Sequence, residues 1–321
     1  MHLRWIFVGL SAIGVTVGLS TCSPKSTPYT PIPDPNSEGL TILYTDFMND
    51  RLVEMTDMGG TGWTTFAGAG IGGLDQPFHP VIDEADRIYV ADQANDRVIR
   101  MDNIAGLNLV VLGTTGNGTG EFFLPTGLCL DGAGTLHIVD SANTRIVRID
   151  DMTGTGWITF GAPGAGTGQF DAPQACFIDI SNRIYISDNG NHRIIRIDDM
   201  TGSGWVELGT EGSGASQFNG PNGLWVDSNG RIYIADEHND RIVRVDDMAG
   251  TNWATLQNNG DESLSLPHAV AVSSAGKLYI TDTNHNRIVR VDDFDGLGWF
   301  SFGQFGEGQY EMEAPKGLFI H

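Results

Sequence analysis

The chain repeats itself at a period close to 48 residues, and no other property limits its fold as strongly. Arg51, Arg97, Arg145, Arg193, Arg241 and Arg287 each open a segment of the type R-I-V-R-V-D-D-M, at intervals of 46, 48, 48, 48 and 46 residues. Trp63, Trp157, Trp205, Trp253 and Trp299 follow five of these arginines by twelve residues, with Leu109 in the sixth slot. Pro77, Pro125, Pro173, Pro221 and Pro267 precede the arginines from Arg97 onward by twenty residues, and a last Pro315 has no arginine after it. Each unit reads as four short apolar or alternating runs, for instance G-L-W-V-D, R-I-Y-I-A-D, R-I-V-R-V-D and W-I-T-F-G, parted by turn signals such as D-S-N-G and D-M-T-G-T-G.

Four strands per unit, six times over, predict an all-β fold, a six-bladed β-propeller of four-stranded blades. A parallel solenoid would need shorter repeats and no hairpin turns. Residues 40–68 carry three runs of a blade but lack the proline-led first strand, which stands instead at the C-terminus as Ala314-Pro315-Lys316-Gly317-Leu318-Phe319-Ile320. The C-terminal strand is therefore expected to join the N-terminal blade, which removes the open sheet edges that invite aggregation. The domain so defined covers 40–321.

The tripeptide Asn191-His192-Arg193 within D-N-G-N-H-R-I-I-R-I, the upstream F-x-x-P-x-G-L-x-V-D and the R-I-Y-I-A-D run resemble the NHL repeat family, with Arg193 where the family has leucine. The likeness recurs in every unit. It implies the propeller fold; for function it allows binding platforms, lyases and sensor domains alike.

Residues 1–21 read as a signal peptide: one arginine, a mostly apolar run over Ile6–Leu19 too short to span a bilayer, then Leu19-Ser20-Thr21-Cys22. That site resembles the bacterial lipoprotein lipobox, with Thr21 where glycine or alanine is usual, so Cys22 is the expected lipidation site and 22–39 a lipid-anchored, proline-rich linker. The implied address is the bacterial cell envelope, exported, at the outer membrane or cell surface. Membrane contact is expected only through that lipid. Forty acidic against 18 basic residues, a net charge of −22, argue against nucleic-acid partners and anionic membrane surfaces. Cys129 and Cys176 sit one step out of phase on neighbouring repeats, and are expected to be buried free thiols on opposite sides of their strands.

Fifteen of the 18 cations fall in repeat slots. A side chain that recurs in every blade solves a problem each blade has, and its expected partner is the aspartate ending the second run: Asp92, Asp140, Asp188, Asp236 and Asp282. The tryptophans are expected to cover blade edges, and the doubled acids such as Asp150-Asp151 to form a solvated acidic rim without the D-x-D-x-D-G spacing of a calcium loop. No G-x-S-x-G, H-E-x-x-H or phosphate-cradling loop occurs.

The informative residues are those that break the repeat. The distance from tryptophan slot to proline is 16 residues except before Pro77 and Pro267, where it is 14. Directly after those shortened crossings stand His79 and His268. With Phe78 and Lys316 they should be contiguous at the mouth of the central channel, where Thr126, Gln174 and Asn222 occupy the matching slots of three other blades. As mouth residues they are expected to make few core contacts. The leading expectation is a monomeric, non-enzymatic platform that binds a protein, peptide or glycan there. The alternative is a metal-assisted lyase or hydrolase resembling the amidoglycolate lyase and lactonase-type propellers, with His79 and His268 as metal ligands. Zinc and calcium are the cofactors that these features admit. His192, His238 and His285 are expected on a variable, exposed rim of the same face.

Overall fold

A computed structural model of the chain describes residues 30–33 and 39–321; the expected signal peptide, residues 1–21, and Cys22 lie outside the described residues. Its strands form six four-stranded antiparallel sheets. The six first strands all begin at the repeat proline: β24 (Pro315–Ile320), β4 (Pro77–Ile82), β8 (Pro125–Leu130), β12 (Pro173–Ile178), β16 (Pro221–Val226) and β20 (Pro267–Val272). Blade 1 has the order β24, β1 (Ile42–Asp46), β2 (Arg51–Met55), β3 (Thr64–Phe66), so the two ends of the chain share one sheet as the sequence implied. Blades 2 to 6 follow in chain order. The first strands line the axis. Turns from second to third strand and crossings between blades lie at one end of it, the channel-mouth face. The other two hairpins of each blade lie at the opposite end, the hairpin face.

All five residues of every second strand are buried, which is why those runs read as continuously apolar rather than alternating. Each ends in a carboxylate that is itself buried, Asp46, Asp92, Asp140, Asp188, Asp236 and Asp282. An unpaired charge there would be prohibitive. The arginine five residues on donates from Nε to the aspartate at 2.6–2.8 Å in all six blades. The other carboxylate oxygen accepts a backbone N–H of the crossing that leads into the same blade, at 2.7–2.8 Å. The guanidinium spends its remaining donors on crossing carbonyls, for example Arg241 on Ser213 and Gln217. The repeat tryptophan stacks on it, with Arg241 5.7 Å from the Trp253 ring. Arginine and aspartate thus clamp one irregular loop per blade, with tryptophan stacked on the arginine in four of the six.

A second contact joins successive blades. The residue before each repeat proline has positive φ, which is unfavourable ahead of proline. Its N–H is held by the side chain preceding the arginine of the previous blade: Asp50 for Gln76, Asp96 for Leu124, Asp240 for Leu266 and Asn286 for Ala314. In this slot His192 accepts from Gly220 N at 3.1 Å, so it is a half-buried blade latch rather than an exposed rim residue. His285 pairs with Asp282 at 2.9 Å; His238 is exposed, as expected.

The free-thiol expectation is corrected: Cys129 and Cys176 form a disulfide between blades 3 and 4, with Cα atoms 5.8 Å apart. Blades stack face against face around the ring. A side chain pointing forward from one blade therefore meets one pointing backward from the next, so cysteines one step out of phase on neighbouring blades face each other. The bridge closes a span of 47 residues. By the loop-closure relation, reducing it should cost about 4 kcal/mol. Urea unfolding with and without reductant measures this; an unchanged midpoint would mean that the two blades are held by packing alone.

Candidate functional site

The residues that break the repeat gather at one backbone irregularity. In each blade the ladder between first and second strand slips just after the proline: Lys316 and Gly317, for instance, lie between the pairs Asp46–Pro315 and Tyr44–Leu318, opposite Thr45 alone. The same slip occurs in the other five blades. A bulge bends its strand and re-aims side chains, and Phe78, His79, Thr126, Gln174, Asn222, His268 and Lys316 all stand at these bulges. Neighbouring first strands touch here backbone to backbone. A Cβ on Gly317 would lie 2.6 Å from the His79 Cα, and one on Gly127 2.7 Å from the Ala175 Cα. The position after each candidate residue is accordingly glycine or alanine, except in blade 2, where Gly317 next door makes room for His79.

Four of the candidates meet as expected. The Phe78 and His268 rings are 4.9 Å apart and the His79 and His268 rings 5.9 Å. The Lys316 ammonium lies 5.6 Å from the Phe78 ring and 4.9 Å from that of Phe47. Asn222 joins them through Glu237, to which its side-chain amide donates and which in turn faces Lys316. Gln174 bonds elsewhere, to Ser141 Oγ at 3.4 Å and to the carbonyl of Ala172. Thr126 is fully buried. The expectation of few core contacts is corrected: His268 is only 1 % exposed and Asn222 3 %, because the bulge tucks these side chains between adjacent strands instead of presenting them at a rim. Glu237 and Phe47 were not singled out from the sequence. They occupy the slot after the buried aspartate, and comparison of that column across blades would have exposed them: beside Gln93, Ser141, Asn189 and Thr283, which are neutral and polar, only Phe47 is aromatic and only Glu237 is charged.

Burial first, then the nearby Lys316 charge, lowers the His79 pKa to about 4. His268 is held well below the ordinary histidine range by burial, then Lys316, then His79. Burial also lowers Lys316, against the favourable pull of Glu237, and raises Glu237, against that of Lys316. Four polar atoms in this ring are buried and, among the described residues, have no hydrogen-bond partner: His79 Nε2, Thr126 Oγ1, Asn222 Oδ1 and His268 Nδ1. As a metal centre the ring does not fit. Two imidazoles are short of the three or four ligands that zinc takes, a lysine ammonium stands beside them, and among the described residues no group of three or more His, Cys, Asp or Glu side chains is placed to hold an ion. The doubled acids do not provide one either; Asp150 pairs with Arg148 at 2.7 Å and Asp151 accepts from the Thr153 N–H and hydroxyl.

The central cavity opens at the other end of the axis, on the hairpin face, with a volume of about 230 Å³. All six first strands contribute to it, from the level of His79 down to Ile82, Leu130 and Ile178. The rings of Phe177 and Trp225 are 5.1 Å apart and those of Trp225 and Phe319 6.1 Å. These three aromatics share one slot, four residues after the proline, and were overlooked in the sequence. The available signal was Trp225, which lies outside the tryptophan slot of the repeat.

Because both axial imidazoles titrate below their unfolded value, the unfolded chain binds more protons than the folded one between about pH 6.5 and pH 4. The histidines thus contribute stability that is lost as pH falls through that window. Thermal unfolding at pH 7 and pH 4.5 should show a smaller acid-induced drop for His79→Gln with His268→Gln than for the parent chain. Equal drops would mean that the rings are not held neutral.

The family model of the NHL repeat matches residues 218–244 and 264–290, which fall in blades 5 and 6. No curated protein matches the sequence. Among solved structures, a streptogramin B lyase superposes with a TM-score of 0.60 at 15 % identity, covering 89 % of this chain and 87 % of that one. A chain of the nidogen/laminin complex gives 0.66 at 19 % identity, over 88 % and 98 %. A catalytically inactive virginiamycin B lyase from Staphylococcus aureus with quinupristin gives 0.58 at 16 %, over 88 % and 92 %. At such identities these likenesses speak for the fold alone. With the sheet order and the closure through β24, the chain is a six-bladed β-propeller in which segments of blades 5 and 6 match the NHL repeat.

Proposed function

We propose that the chain is an exported, monomeric binding platform, tethered by a lipid at Cys22, that receives a protein, peptide or glycan at the channel-mouth face. The observation that carries this reading is the group of half-buried, repeat-breaking polar side chains at the axis, His79 and the oppositely charged Lys316 and Glu237. A ligand rich in amides or hydroxyls would find at these side chains both a cation and an anion to hydrogen-bond. Both imidazoles are neutral at physiological pH and so offer one donor and one acceptor each. The disulfide supports export, since such bridges persist in oxidising compartments. The repeated arginines and aspartates are committed to the blades, which leaves these irregular residues to recognise a ligand.

A metal-assisted lyase or hydrolase is the second reading. It draws on the lyases among the similar structures. It lacks a ligand set for the metal it would require.

The test is a peptide and glycan array probed with the full-length chain, followed by calorimetric titration of the strongest hit. Lys316→Met and Asn222→Leu should each weaken it by at least about tenfold, roughly 1.4 kcal/mol, with the thermal midpoint followed in parallel. A hit whose affinity ignores both substitutions overturns the assignment of this face.

A further inference from the structure

The axial cavity on the hairpin face is lined, His79 apart, by apolar side chains, where the channel mouth carries polar ones. Leu128, Leu224, Val270 and Leu318 form its walls together with the Cys129–Cys176 bridge, and Phe177, Trp225 and Phe319 stand half-buried within it. Its volume of about 230 Å³ exceeds the roughly 150 Å³ of a dry engineered cavity that binds benzene. A groove of about 410 Å³ continues outward from it between the hairpins of blades 4, 5 and 6, sharing Phe177, Ile178 and Trp225 with the cavity. At its edge Ile180 is 89 % exposed. The same hairpin slot holds Glu84, Gly132, Ser228 and Ser274 in the other blades, so the fold does not require an apolar residue there. Exposed isoleucine, off-repeat tryptophan and open cavity are contiguous, on one sector of the ring.

Arg231 lines the groove and Arg183 stands beside it, but each is paired with its own aspartate, Asp227 and Asp179, at 2.7 Å, so the unpaired charge of this face is anionic. Hairpins between third and fourth strands project from this same face, and Asp151, Asp199 and Asp247 are exposed in them. Their oxygens accept from the N–H groups and hydroxyls of Thr153, Thr201 and Thr251 rather than from cations. Such hydrogen bonds hold the carboxyls below their ordinary range, so they stay charged. An acidic rim around an apolar hole disfavours a membrane, a fatty carboxylate and a second copy of this face, all of which carry negative charge. It favours a basic polypeptide that places one apolar side chain at the centre, the arrangement in which a buried anchor supplies affinity and charge supplies approach.

We propose that this cavity and groove form a second binding site, for a cationic polypeptide segment that inserts a single aromatic or branched aliphatic side chain against Trp225. The chain leaves the cavity through the groove over Ile180 while its basic residues face the aspartate hairpins. The site lies at the opposite end of the axis from Lys316 and His268 and does not depend on them.

The experiment uses the full chain and three fluorescein-labelled peptides, KKGFGKK, KKGAGKK and EEGFGEE, read by anisotropy. The first should bind saturably and weaken as salt is raised; the second should bind at least about tenfold more weakly, the third not at all. Trp225→Ala should cost KKGFGKK at least about tenfold, while Trp225→Phe retains most of the affinity. Ile180→Ser, at an exposed position that cannot upset the core, should weaken it as well and keeps the test decisive if Trp225→Ala misfolds. Equal affinity for the phenylalanine and alanine peptides, indifference to both Trp225→Ala and Ile180→Ser, or saturable uptake of laurate with no peptide binding would each overturn the proposal.

Discussion

Six buried aspartates set the terms on which the rest of this molecule is built. A carboxylate at the end of a fully buried strand must be paired. In each blade one arginine, one backbone N–H and the side chain three residues on, asparagine in five blades and His285 in the sixth, answer it. The arginine and the N–H also hold the crossing that brings the chain to the axis. The irregular segment is thereby fixed from both of its sides, although it has little secondary structure of its own. In blade 1 the same arrangement links the two ends of the chain: Arg51 donates to Asp46 and to the carbonyls of Glu307 and Glu311, and Glu313 N–H donates to Asp46. Ring closure is thus the ordinary blade interaction made once across the termini.

A rigid and repetitive ring leaves the axis as the place where variation costs least. The bulge after each proline supplies six equivalent positions whose side chains are aimed inward, and in this chain they hold phenylalanine, threonine, glutamine, asparagine, histidine and lysine. Three residues further along, Phe177, Trp225 and Phe319 stand where the other blades have Val81, Cys129 and Ala271. The axis therefore carries a polar, hydrogen-bond-hungry ring at one end and an apolar, acid-rimmed hole at the other. Two such different chemistries some strand length apart suit two different partners, or two parts of one.

The repeat made the fold legible because every blade states it again: proline, aspartate, arginine and tryptophan return at constant spacing, and a constant spacing of side chains with complementary chemistry is a contact pattern. Contiguity of Phe78, His79, His268 and Lys316 was legible for the same reason, since equivalent slots in adjacent blades are neighbours. Three things were not. The disulfide was hidden because a phase difference along a strand reads as separation until the face-to-face stacking of blades is considered. Burial of His268 and Asn222 was hidden because a bulge is a backbone event without a residue signature beyond the small Gly or Ala beside it. The apolar cavity was hidden because Phe177, Trp225 and Phe319 sit in runs that any core strand could contain; only the misplaced tryptophan marks them.

The account rests on the aspartate–arginine pair as a structural clamp rather than a surface ornament. A double-mutant cycle on Asp236 and Arg241, with Asp236→Ala, Arg241→Ala and both together followed by urea unfolding, measures that most directly. Removing one partner strands a charge in the core, whereas removing both does not, so a coupling energy of about 2–3 kcal/mol is predicted. Coupling below about 0.5 kcal/mol, the value of an ordinary exposed ion pair, would contradict it and return the repeated arginines to the pool of residues free to bind a ligand.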